Sequence, residues 1–331
     1  EIFDIIFHAG NIMCPFKLQT MTNIQSFYVY LTGMKKWFAI AVLFAVTFTA
    51  GAQNNSFEID DECYAIYSAA DLLIGKPGFD SRNSQLLSKA IEKGDARAQT
   101  LYYVERLKNL TALLQDKAAT TAAEDAKVME YAEDLKRVAT DLNQSQYFYN
   151  AYIIAQNHFL DHGKIVQTME LLQDMRQQAV ARKEPYGIWM GDRYIVSLYL
   201  SENDYISAKK YITEAIKVYE ESGDPNIRKE SVTRLYCEMS NTFPIGHDSV
   251  PVFLALASGS RKQHLDSLRC EYHYAKLAAY QRDVARYEQA RDYCLADPAL
   301  PIISSTAPIM FGYIDKLVYG QEIEDFDINT M

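Results

Sequence analysis

The chain has 331 residues, with 33 Lys or Arg against 43 Asp or Glu and a formal net charge of −10. That balance excludes nucleic acid and anionic lipid as main partners, because both require a basic surface. Hydrophobic residues make up 49% of the chain, enough to build a core, and the length allows one or two ordinary domains.

In chain order, residues 1–33 show no clear period and few charges, and they begin at Glu1 rather than Met. They are expected to lie upstream of the true start, or to be a leader outside the fold. At Met34 the pattern changes. Lys35 and Lys36 form a positive n-region, residues 37–49 an apolar run, and Ala50-Gly51-Ala52 a small-x-small cleavage site before Gln53. These are the parts of a secretory signal peptide in the right order, so residues 34–52 are expected to direct export and be removed. The apolar run is too short for an ordinary spanning helix.

From Gln53 onward, apolar residues recur at spacings of three and four, the stripe of a half-buried helix. Helices are expected over 63–73 and 84–91, around Gly75-Lys76-Pro77-Gly78, then over 95–114, 124–142 and 146–160. The patch AATTAA at 118–123 separates two of them. Further helices are expected over 227–239, ended by Thr242-Phe243-Pro244, and over 309–319. Residues 320–331 form an acidic tail. No stretch alternates as a strand would, which predicts an all-α fold over 53–319.

The clearest unit is residues 186–222. Ile188, Trp189, Tyr194, Ile195, Leu198 and Tyr199 form one stripe, Ser201-Glu202-Asn203-Asp204 a polar turn, and Tyr205, Ala208, Tyr211, Ile212, Ala215 and Tyr219 a second stripe. Ser222-Gly223 ends that helix, and Asp224-Pro225 reads as an N-cap followed by proline at the first helical position. A looser copy runs through Tyr274, Leu277, Ala278, Tyr287 and Ala290. Tyr205 and Tyr287 stand 82 residues apart, two periods of about 41, within the range of helical arrays. A copy is expected around Ile165. The one near Gly246, in FPIGHDSVPVFLALAS, is the poorest.

This unit resembles a tetratricopeptide repeat: Ala208 and Ala215 fall on the family's two alanines, and Tyr199 and Tyr205 on its aromatic positions. It departs from the family where the early Trp position falls on Asp192, the glycine on Val196 and the closing proline on Glu220. The resemblance implies a right-handed solenoid of antiparallel helical hairpins whose first helices line a concave face that binds a protein or peptide. With the export signal, the whole is similar to the periplasmic input region of Bacteroidetes-type sensor histidine kinases. That similarity implies a periplasmic, non-catalytic sensory module without a cofactor. The sequence holds no phospho-accepting histidine box and no ATP-binding glycine motif, so a truncated two-component sensor is expected, attached to a membrane only through a span beyond Met331. The alternative is a free-standing periplasmic scaffold for an envelope complex.

On that resemblance Tyr149, Tyr152, Tyr194, Tyr199 and Tyr274 are the candidate ligand-binding residues. The competing reading places them in the core, where aromatic stripes at helical spacing usually belong. His158, Asp161 and His162 in HFLDH stand at i, i+3 and i+4 on one helical face, but no third outside ligand is legible, so no metal site is expected. Of the four cysteines after the signal, Cys63, Cys237, Cys270 and Cys294, the pair to test is Cys270 with Cys294, on adjacent expected helices; buried free thiols are the alternative. His264, Asp266 and Ser267 are too close along one helix to converge as a triad.

Overall fold

The computed structural model describes residues 57–321. The expected leader 1–33, the expected signal peptide 34–52 and nearly all of the tail 320–331 lie outside the described residues. Those described form fifteen helices and no strand, in two bodies, residues 57–164 and 165–321. The first body holds α1 (Asp61–Asp71), α2 (Phe79–Lys93), α3 (Ala96–Leu114), α4 (Ala122–Asp141) and α5 (Ser145–Asp161). The second holds α6 (Ile165–Arg182), α7 (Pro185–Ser201), α8 (Tyr205–Glu221), α9 (Pro225–Lys229), α10 (Thr233–Asn241), α11 (Ser249–Gly259), α12 (His264–Gln281), α13 (Val284–Leu295), α14 (Leu300–Ile303) and α15 (Ala307–Val318).

One local device joins many of these helices. Gly94, Asn143, Gly163, Lys183, Asn203 and Arg282 each sit at a helix end with φ between 56° and 69°. Each donates its N–H three residues back, and the next residue donates five residues back, as Asn203 N to Leu200 O (3.2 Å) and Asp204 N to Tyr199 O (2.9 Å) do. This is the Schellman pairing, which satisfies the last free carbonyls and turns the chain sharply. Four of the six residues, 143, 163, 183 and 203, stand 20 residues apart. A helix and its turn thus occupy about 20 residues and a hairpin about 40, the physical basis of the period near 41. After three of the turns an aspartate caps the next helix: Asp95 accepts from Ala98 N (2.8 Å), Asp204 from Ser207 N (3.0 Å) and Asp283 from Arg286 N (3.1 Å).

Consecutive helices pack on one another within each body. In the first, α1 also touches α3, and α3 touches α5; in the second, α10 also touches α12. Small residues allow the close approach: Ala208 and Ala215 are fully buried in the cluster around Trp189, as the sequence implied. At Gly191 an added Cβ would lie 3.2 Å from the Cβ of Arg176, so α7 packs on α6 with no room for a side chain there. Further clusters gather around Leu254, Cys237 and Cys270, and around Tyr287 and Phe311.

One expectation changes. The single helix over 227–239 is two, α9 and α10, because Glu230 turns extended (ψ 164°) and the Ser231 hydroxyl accepts from Thr233 N (3.1 Å), starting a new helix. The poorest copy forms a helix, α11, and its Pro251 falls in the first turn, where a missing N–H costs nothing. No helix among the described residues is long and apolar enough to cross a membrane.

Candidate functional site

The five candidate tyrosines fall in two sets. Tyr149 and Tyr152, on α5 of the first body, are 1% and 3% exposed and meet through Phe148, at ring-centroid distances of 5.2 and 5.7 Å. Tyr194 and Tyr199 on α7, and Tyr274 on α12, belong to the second body and are half-buried. Tyr199 stacks on Tyr211 at 5.6 Å. The hydroxyl of Tyr274 accepts from Ser258 Oγ (3.2 Å), and the Arg286 guanidinium lies 5.1 Å from its ring centre.

The first body carries a cavity of about 410 Å³ beside the end of α5, lined by Ile74, Lys108, Ala112, Asn157, His158 and His162 among others. Its two histidines serve as fasteners. The buried His158 ring sets Nε2 3.2 Å from Asp125 Oδ1, at the start of α4. His162 sets Nδ1 2.7 Å from His158 O and Nε2 3.1 Å from Leu114 O, so the ring nitrogen that carries the proton donates to a carbonyl freed where α5 or α3 ends. Burial holds His158 below the usual histidine range, with Asp125 pulling the other way. The ring is therefore neutral, donates through Nε2 and leaves Nδ1 buried without a partner. Among the described residues no cluster of three or more His, Cys, Asp or Glu is arranged to hold a metal ion.

Each body also buries a carboxylate against a cation. In the first, Glu105 takes Lys108 Nζ on Oε1 (2.8 Å), and Lys108 also reaches Asp71 (2.8 Å). Burial pushes Glu105 up to about 7, against the pull of Lys108. In the second, Asp192 Oδ1 lies 2.5 Å from Arg176 Nε, and Arg176 also pairs with Glu214. Burial pushes Asp192 up to about 6. In both carboxylates the second oxygen is buried without a partner, which agrees with a raised proton affinity.

Of the two cysteine readings the structure bears out the buried thiols: all four described cysteines are buried and free, and Cys270 is not paired with Cys294. The thiol beside Cys270 is that of Cys237, with which it shares a hydrogen bond, whereas Cys294 Sγ points to Leu268 O at 3.9 Å. Cys270 lies on the α12 face turned to α10, where Cys237 sits. Leu268 is two residues away, about 200° round the helix, and meets α13 instead.

Sequence reasoning did not single out three arginines of the second body: Arg193 on α7, Arg234 on α10 and Arg269 on α12. Arg234 donates from Nε to Glu238 Oε1 (2.6 Å) and from Nη2 to Ser197 Oγ (2.8 Å), one helical turn from Arg193. Arg193 lies 4.3 Å from the Trp189 ring centre and 3.7 Å from Glu230 Oε2, beyond hydrogen-bond length, and its Nε is buried without an acceptor. Arg269 makes no hydrogen bond or ion pair with any described residue. Burial first, and the charge of Arg234 second, hold both Arg193 and Arg269 below the usual arginine range. Tyr194 stands beside Arg193 and Arg234. The one available signal was spacing: Arg193 and Arg234 are 41 residues apart, one period. Among known proteins, no family model matches the chain, and no curated protein matches it.

Proposed function

We propose that the chain is a non-catalytic sensory or interaction module, exported to the periplasm, that holds a protein or peptide on the face of a helical-hairpin array. The observation that carries this reading is the run of identical turns at 20-residue intervals between helices of similar length. Hairpins made this way bury their faces only against their neighbours, and a stack of them within one body leaves a face for a partner. A right-handed, tetratricopeptide-like solenoid accounts for the contacts of alternate helices, α1 with α3, α3 with α5 and α10 with α12. In that arrangement α7 and α12 are first helices, and Tyr194, Tyr199 and Tyr274 face the groove. Tyrosine suits such a surface because it offers apolar area and a polar tip at small entropic cost. The input part of a truncated two-component sensor is the specific form of this reading, supported by the export signal and the acidic composition.

The test uses a photo-crosslinking phenylalanine analogue at position 199 or 274, in the full chain expressed with its leader. The control position is Ile206 on α8, 86% exposed. A discrete adduct at 199 and 274, absent at 206, supports the reading. Equal labelling at all three, or none, overturns it. An adduct partner that stays bound through purification would select the scaffold form over the sensor.

A further inference from the structure

We propose that the cavity of the first body binds a small molecule by its primary ammonium group, with Asp161 as the counter-charge. The site lies apart from the tyrosines of the second body and does not rest on the interaction reading.

Size is the first point. At about 410 Å³ the cavity falls within the range of about 300 to 1,000 Å³ typical of small-molecule sites. Ile74, Ala112 and Ile154 give it an apolar wall, and Thr111, Gln115 and Asn157 a polar one. The walls are tied together without a ligand. Gly75 N donates to Asn109 Oδ1 (2.8 Å), fixing the turn after α1 to α3. Lys108 Nζ reaches from α3 to Asp71 at the end of α1 (2.8 Å), and His162 joins the end of α5 to Leu114 O at the end of α3 (3.1 Å).

Charge is the second point. The last turns of α3 and α5 line the cavity, and so does Ile74 in the turn that follows α1. Each such helix end carries a partial negative charge. No Lys or Arg stands in the last turn of any of the three. Helix α5 closes instead on Asp161, a carboxylate where the dipole favours a cation. Asp161 lines the cavity and makes no hydrogen bond or ion pair with any described residue. Loss of surrounding water holds its carboxyl above the usual range, against the pull of His162 and His158, as expected of a carboxylate without a full counter-charge. The cations nearby are matched elsewhere: Lys108 by Glu105 and Asp71, Lys117 by Glu124, Lys164 by Asp125, and Lys76 by Leu72 O (2.9 Å). His158, fully buried in the lining, adds a second acceptor, for its Nε2 faces Asp125 and its Nδ1 has no partner. An ammonium has three N–H donors and no acceptor, the complement of a wall that holds unmatched acceptors. The apolar wall takes its carbon skeleton. An anion would meet Asp161 and three helix C-termini, and a neutral molecule would leave the carboxylate unmatched.

The experiment is a ligand-detected NMR titration of the full chain, in which each probe's own proton signals report its binding. The probes are two amines, isoamylamine and putrescine, and two molecules with the same branched skeleton as the first but no positive charge, isoamyl alcohol and isovalerate. Ionic strength is held constant with sodium chloride so that simple screening cancels. Saturable binding of an amine, about tenfold or more tighter than the alcohol or isovalerate, supports the site if it weakens about tenfold or more in Asp161→Asn and less in Asp161→Glu. Asp161 is exposed and bonds to no described residue, so Asp161→Asn should keep the thermal midpoint of the parent. If it does not, the comparison of amine with alcohol on the unaltered chain decides. Equal affinity for alcohol and amine reduces the cavity to an apolar pocket and overturns the ammonium site. A preference for isovalerate, no saturable binding of either amine, or unchanged affinity in a folded Asp161→Asn overturns it as well. Crosslinking at positions 199 and 274 involves the other body and no amine, so failure of this site and failure of the interaction reading are told apart.

Discussion

The two bodies close off most of their inward-turned cations in the same way and differ at two arginines. In residues 57–164 the inward-turned cations are closed off by local partners: Lys108 sits between Glu105 and Asp71, and Lys164 against Asp125 and Thr120. His162 lies with both ring nitrogens against carbonyls. In residues 165–321 Arg176 is closed off in the same manner, between Asp192 and Glu214. Arg193 and Arg269 are not. The second body thus holds a buried guanidinium nitrogen, Arg193 Nε, without an acceptor, which the described residues of the first body do not.

That contrast can be broken by substitution. The largest effect should come from Arg176→Met. It strips two carboxylates of their cation, one of them fully buried, and should cost about 3 kcal/mol in urea denaturation, at the low end for a buried pair because Arg176 is itself partly open to solvent. Lys108→Met should cost less, about 1 kcal/mol, since Glu105 already titrates near 7 and can escape by taking a proton. A loss in Lys108→Met as large as in Arg176→Met would show that the first body depends on its ion pairs just as heavily.

The raised carboxylates give a pH signature shared by both bodies. Glu105 and Asp192 bind a proton more tightly folded than unfolded, so the stability they contribute is fully present below about pH 4 and is lost as pH rises through 6 to 7. Glu105→Gln is uncharged throughout and should flatten the fall in stability between pH 4.5 and pH 7, read from denaturation midpoints across that range. An unchanged slope would place the pH dependence elsewhere. A smaller effect is expected at a turn. Lys183 holds a left-handed φ of 57°, a conformation that is strained with a side chain and free for glycine, so Lys183→Gly should raise stability by about 0.5 kcal/mol.

Much of the fold was legible because the hairpin of residues 186–222 combines three-and-four spacing with polar turn residues and a small-residue stripe. Where the structure departs from that reading, the decisive contacts have no compositional mark. The break between α9 and α10 is made by a serine hydroxyl and one extended residue, without Gly or Pro. Lys183 and Arg282 take the left-handed turn position usually marked by Gly or Asn. The site was less legible. Tyrosines are conspicuous in a sequence, but an unmatched arginine differs from a matched one only in what surrounds it. Cys237 and Cys270 meet because α10 packs against α12, a pairing that no spacing rule supplied.

The most direct test of the contrast is the thermal unfolding of Arg269→Gln in sodium chloride, without added oxyanion. A matched arginine should destabilise when removed. This one should lower the midpoint far less than Arg176→Met does, because Arg269 makes no hydrogen bond or ion pair with a described residue and the repulsion of Arg234 opposes the attraction of Glu238 and Asp266. A fall as large as that of Arg176→Met would mean that Arg269 is held as firmly as Arg176, and the contrast between matched and unmatched cations would fail.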